Sequence, residues 1–168
     1  MKLASISNIY QELKKDIQKV ERELSSAIET DDPVLNEASH HLLHAGGKRI
    51  RPIFVLLAGK FGDYSVERLK YVAVPLELIH MATLVHDDVI DDAETRRGRK
   101  TVKAEWDNRI AMYTGDYIFA CSLKIVSRLS DPNVHRVLSD AIVEFATSSI
   151  GSKIFAVICV ALNVKRRC

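Results

Sequence analysis

Residues 66–92, VERLKYVAVPLELIHMATLVHDDVIDD, change character along their length: a mixed start, a long apolar middle, then four aspartates in the last six positions. From Ser65 onward the pattern predicts a helix that carries the whole stretch. Pro75 should kink it or divide it in two, because proline lacks the backbone donor and crowds the preceding turn. The segment LELIHMATLV is apolar enough to be a buried wall, so the acidic residues emerge from the interior of a fold.

The flanking sequence also reads as helices. Ile6, Ile9, Leu13, Ile17, Val20, Leu24 and Ile28 recur at spacings of three and four with charges between them, the mark of a long amphipathic helix. TDDP at 30–33 supplies a cap and an N-terminal proline for a second helix, and AGG at 45–47 suits its C-terminus. KRIRPIFVLLAGKFG resumes a helix that is apolar almost all round from Ile53 to Ala58, as in a buried element, until Gly62. TRRGRK is a polar loop. DNRIAMYTGDYIFACSLKIVSRLS is helical up to DPN at Asp131. With no strand, repeat or low-complexity segment in the pattern, the fold class is all-α.

A chain of 168 residues with 47% hydrophobic content is large enough for one domain with a core of its own. Lys and Arg number 24 against 22 Asp and Glu, a net charge of +2, which gives no general attraction to nucleic acid. Cys121, Cys159 and Cys168 have neither disulfide-like nor zinc-like spacing and fit a reducing compartment, so cytoplasm is expected. The N-terminal residues lack the apolar run of a signal peptide, and IFAVICVALNV from Ile154 is too short to span a membrane.

On a helix each residue advances by about 100°, so positions seven and eleven apart return to within about 20° of one direction. His80, Asp87 and Asp91 therefore form one stripe, with Leu84 near its centre. Asp88 flanks the stripe and Asp92 points further away. Two carboxylates one turn apart suit a hard cation such as Mg²⁺, which keeps waters and takes its remaining ligands from a phosphate. A solvated acidic helix end is the competing reading. Against it, negative charge at a helix C-terminus opposes the macrodipole unless cations compensate. Cations are near: Arg96, Arg97, Arg99 and Lys100 follow at once. A second cationic group lies in GGKRIRP, where Lys48 and Arg51, three apart, should share a helical face while Arg49 turns away. Arginine forks match phosphate oxygens, and Gly46–Gly47 lets backbone approach a ligand.

GGKRIRP, then LELIHMATLVHDDVIDDAETRRG, then TGDYIFA together resemble the trans-isoprenyl diphosphate synthases, most closely their long-chain polyprenyl group. The resemblance is clear from Met1 to Ala120 and fainter to Ala146. It includes a DDxxD motif at Asp87, Asp88 and Asp91, the Arg96–Arg97–Gly98 that follows, and Gly47, Lys48 and Arg51 upstream. It implies the N-terminal half of an isoprenoid synthase helical bundle at 1–146. Asp87 and Asp91 would hold Mg²⁺ against an allylic diphosphate such as farnesyl diphosphate, with Asp88 supporting and Arg96 on the same diphosphate. Lys48, Arg51, His80 and Arg97 would bind isopentenyl diphosphate. In this family a bulky aromatic four or five residues before the first aspartate keeps products short. Thr83 and Ala82 stand there, which implies long products, with Leu78, Ile79 and Met81 as stops further along.

The family's second aspartate-rich motif does not occur in this sequence. Residues 147–168 read as a divergent tail of the kind a frameshift produces. The expectation is thus a weakly active or inactive chain whose exposed apolar faces would pair with a second synthase subunit or with another copy. A non-catalytic assembly subunit is the second reading. A metal-dependent phosphohydrolase of the HD class, from His86–Asp87, is a third.

Overall fold

A computed structural model describes residues 6–147. Among these the helices are α1 (Ile6–Ala27), α2 (Pro33–His44), α3 (Ile50–Gly59), α4 (Val66–Ile90), α5 (Val102–Glu105), α6 (Asn108–Val126) and α7 (Pro132–Thr147). Between α4 and α5 lies a small antiparallel hairpin, β1 (Thr95–Arg96) and β2 (Arg99–Lys100). The all-α class stands. The segment expected to be a polar loop is this hairpin, too short to show any alternating pattern. Apart from Thr147, the tail from residue 147 lies outside the described residues.

Amphipathic α1 buries Leu13, Ile17, Val20 and Leu24, and Ile28 just beyond it continues the stripe, each at most 4% exposed. Each such side chain stabilises the fold by about 1.5–3 kcal/mol. Its polar face is tied to α4 by Lys19–Glu67 at 3.3 Å and Lys70–Glu23 at 2.7 Å. The Tyr64 hydroxyl also donates to Asp16 of α1 at 2.5 Å. At the far end, Tyr117 of α6 donates to the Glu29 carbonyl at 2.9 Å. The Asp32 carboxylate caps α2 by accepting from the Leu35 N–H at 2.9 Å, with Pro33 in the first turn. Beyond Ala45, Gly46 takes a φ of +79°, the left-handed exit that glycine allows.

Two expectations need correction here. Helix α3 ends at Gly59 rather than Gly62, and it is buried on one side only: Pro52, Val55 and Leu56 are interior, whereas Ile50 and Phe54 are 43% and 36% exposed. Of the two outcomes expected at Pro75, a kink or a division, the division does not occur: α4 runs unbroken from Val66 to Ile90. Every residue from Val72 to Ile79 is buried, because α4 is the central helix and packs on α1, α3 and most extensively on α6. Packing on several sides outweighs the hydrogen bond that proline removes. The core centres on this helix, so its C-terminal end opens directly from the interior onto the hairpin.

Candidate functional site

The last turn of α4 carries the paired carboxylates. Asp87 is half-buried, and Asp91 closes the helix with its N–H donating to the Asp87 carbonyl at 2.8 Å. One turn apart, the two share a face, and half-buried His80 lies on it about 10 Å down the axis. Asp88 has a different task. It is only 2% exposed, and its Oδ1 accepts from Nε of Arg96 at 2.8 Å and lies 2.6 Å from Nη2 in the same ion pair. A guanidinium has five N–H donors, and the one on Nε goes to Asp88. Arg96, with its side chain 32% exposed, is thus aimed by a buried carboxylate. Asp92 turns the chain out of the helix at φ +53° and pairs with Lys103, which also lies 3.4 Å from Glu94. The hydrogen bond and charge of Lys103 hold the Asp92 carboxyl below its ordinary value.

The hairpin pairs Thr95 with Lys100 and Arg96 with Arg99, leaving Arg97 and Gly98 as its two-residue turn. Both have positive φ, +54° and +75°, as a type I′ turn requires. For Arg97 that conformation costs about 1 kcal/mol or more. It carries the Arg97 guanidinium to the backbone of Gly47, where an added Cβ would meet Nη1 at 2.6 Å. Two basic segments far apart in sequence thereby meet, and a side chain at 47 would displace the end of Arg97.

In that second segment the spacing argument for Lys48 fails. Lys48 precedes α3, which starts at Ile50, so Lys48 and Arg51 share no helical face. Lys48 is exposed at the loop and Arg51 is half-buried in the first turn of α3. Arg49 does turn away from them, but into the interior: it is 9% exposed, with left-handed backbone at φ +47°. Its Nε donates to Glu21 at 2.5 Å, its Nη2 to the Leu43 carbonyl at 3.0 Å and its Nη1 to Glu77 at 3.4 Å. Burial pulls Arg51 below its ordinary value, Glu77 opposes this and Arg97 adds to it. Arginine remains charged regardless. The Arg51 Nε and the Glu77 Oε2 are buried without a hydrogen-bond partner.

His86 is engaged elsewhere. Its Nε2 is 3.3 Å from Asp116, and its ring packs where a Cβ on Gly115 would sit. That contact makes it part of the α4–α6 seam, against the HD-class reading. His40, His41 and His135 each bond a backbone carbonyl and serve the fold. Among the described residues no three His, Cys, Asp or Glu side chains gather as a metal-binding group. Asp87 and Asp91 are a pair of hard oxygen donors, which fits Mg²⁺ completed by water and phosphate.

Sequence reasoning missed the Asp88–Arg96 clamp and the role of Arg49. The available signal was Glu77, a carboxylate inside an apolar run, which has to find a cation when buried.

Over residues 32–150 the chain matches the polyprenyl synthetase family. It is 61% identical over 141 residues to heptaprenyl diphosphate synthase component 2 of Bacillus subtilis, covering 84% of this chain and 40% of that protein. The protein of the same name from Geobacillus stearothermophilus is 58% identical over 142 residues, covering 84% and 44%. The crystal structure of heptaprenyl diphosphate synthase from Staphylococcus aureus superposes with a TM-score of 0.80 at 38% identity, covering 90% of this chain and 55% of that one. The chain therefore spans about half the length of the relatives it matches, or somewhat less.

Proposed function

The chain belongs to the polyprenyl synthetase family, and on that premise we propose that it carries the first diphosphate-binding half of a prenyltransferase. The reaction joins isopentenyl diphosphate to an allylic diphosphate such as farnesyl diphosphate, giving a long all-trans polyprenyl diphosphate. The observation that carries this reading is the contact of Arg97 with the Gly47 backbone. It joins two cationic segments far apart in sequence, and the Arg96–Asp88 bond ties the same hairpin to the end of α4 that carries the carboxylates, a grouping of the kind that two anionic substrates and a divalent cation require.

Asp87 and Asp91 would hold Mg²⁺, which supplies neutralising charge to the departing pyrophosphate. Arg96, aimed by Asp88, would bind the same diphosphate. Lys48, Arg51, His80 and Arg97 would bind isopentenyl diphosphate. The allylic C–O bond breaks, the isopentenyl double bond attacks the cation, and a proton leaves the adduct. No protein nucleophile is needed. These residues act by holding two anions in line and by fixed charge. The small side chains of Ala82 and Thr83, in place of a bulky aromatic, are the basis for proposing long products.

We place the protein in the cytoplasm. No helix among the described residues is long and apolar enough to cross a membrane. The relatives' designation as component 2 supports an oligomer with a second synthase subunit. That designation also favours a second reading, an assembly subunit with no turnover of its own.

The test is saturable binding of each diphosphate to the chain, followed by Mg²⁺-dependent incorporation of labelled isopentenyl diphosphate. Binding of both substrates with weak incorporation is expected. Asp87→Ala should lower Mg²⁺-dependent farnesyl diphosphate affinity at least about tenfold. Failure of the unaltered chain to bind either diphosphate would overturn the proposal.

A further inference from the structure

The cationic loop rests on a buried ion network that touches no substrate in the reading above. We propose that Arg49 and Glu77 are positioning residues for the isopentenyl diphosphate cradle, setting the direction in which Lys48 and Arg51 leave the chain. The inference rests on the proposed assignment of those two cations.

Lys48 and Arg51 stand on either side of Arg49, so the backbone at 49 fixes their relative orientation. That backbone is left-handed, a conformation that L-residues other than glycine disfavour. It is held from three helices at once: Glu21 of α1, the Leu43 carbonyl of α2 and Glu77 of α4. Glu77 is 4% exposed and gives only Oε1 to Arg49, while its charge also acts on Arg51. One buried carboxylate thus faces two guanidiniums. Burying it is costly, and an apolar pair of similar volume would pack as well, so packing alone does not account for it.

The test measures isopentenyl diphosphate binding, farnesyl diphosphate binding with Mg²⁺, and thermal midpoint on the full chain. Glu77→Gln should weaken isopentenyl diphosphate about tenfold and leave farnesyl diphosphate within about twofold. The direction is informative. Removing a negative charge from a cationic pocket should by charge alone tighten an anion, so unchanged or tighter binding overturns the proposal. The paired substitution Arg49→Met with Glu77→Leu should recover the thermal midpoint without recovering affinity. If affinity returns with stability, the network is only structural. Glu21→Gln loosens the partly exposed end of the network, where the side chain is 40% exposed, and tests the case in which core variants do not fold. A threefold to fivefold loss for isopentenyl diphosphate is expected there, on the order of one weakened charge-assisted bond, and no loss overturns the proposal. Were the unaltered chain to bind neither diphosphate, the functional reading would fall and this inference with it. Binding by the unaltered chain that every variant retains removes this inference alone.

Discussion

The aspartates of residues 87–92 have separate tasks, and their stabilities should separate with them. Asp88 is buried and holds Nε and Nη2 of Arg96, so Asp88→Asn removes the charge from a desolvated pair and should cost about 2 kcal/mol. Asp91 is exposed at the C-terminal end of α4, where negative charge opposes the helix dipole. Asp91→Asn should therefore stabilise the fold, by up to about 0.5 kcal/mol, while weakening Mg²⁺-dependent farnesyl diphosphate binding. Urea denaturation beside a binding titration checks both, and opposite signs of the stability change are the decisive result. If Asp88→Asn proves neutral, Asp88 is not the anchor of Arg96. Helical geometry alone separated Asp87 and Asp91 from Asp88 and Asp92. It could not name the partner of Asp88, because Arg96 reaches Asp88 only through a chain reversal that begins at Asp92 with φ +53°.

Between elements, the seam of α4 and α6 depends on the missing side chain of Gly115. A Cβ there would lie 2.3 Å from Nε2 of His86, so Gly115→Ala forces the imidazole off Asp116. Overpacking of about 2 kcal/mol, less about 1 kcal/mol gained in helix propensity, predicts a net loss near 1 kcal/mol. In a His86→Ala background the clash is gone, and the same substitution should become stabilising by up to about 1 kcal/mol. A double-mutant cycle by chemical denaturation reads this change of sign. A loss of equal size in both backgrounds would mean that His86 is not what the glycine accommodates. At this scale the sequence was legible where periodicity and caps decide: the apolar stripe of α1, Asp32 and Pro33 at the start of α2, Gly46 beyond its end. It misled where tertiary packing decides. Pro75 is carried through α4 by burial on several sides, and Lys48 lies outside the helix because the backbone at Arg49 is left-handed and anchored by residues from α1, α2 and α4.

For the molecule as a whole, the apolar surface bears on assembly: Ile90, Phe61, Val143 and Tyr113 are between 57% and 79% exposed. Apolar side chains in water fit the proposal that a second polypeptide packs on this chain. Within the chain, two phenols anchor α1 and the turn that follows it, Tyr64 on Asp16 and Tyr117 on the Glu29 carbonyl. Burial, then the hydrogen bond to Asp16, raises the Tyr64 phenol above its ordinary 10.0. Burial, then Cys121, pushes Tyr117 up to about 12. A group whose pKa is higher when folded than when unfolded binds its proton more tightly in the folded state, so rising pH favours unfolding. Both contributions are complete below the ordinary value of 10.0, and that of Tyr117 is lost as pH climbs from there through about 12. Lys70, raised by Glu23 and then Glu67, loses its ion pairs in the same direction. Its share shrinks in high salt, because its partners Glu23 and Glu67 are exposed. Denaturation midpoints measured across the alkaline range in high salt should still fall with pH, and the pair Tyr64→Phe with Tyr117→Phe should flatten that fall. A slope that survives both substitutions would place the alkaline weakness elsewhere than in the anchoring of α1.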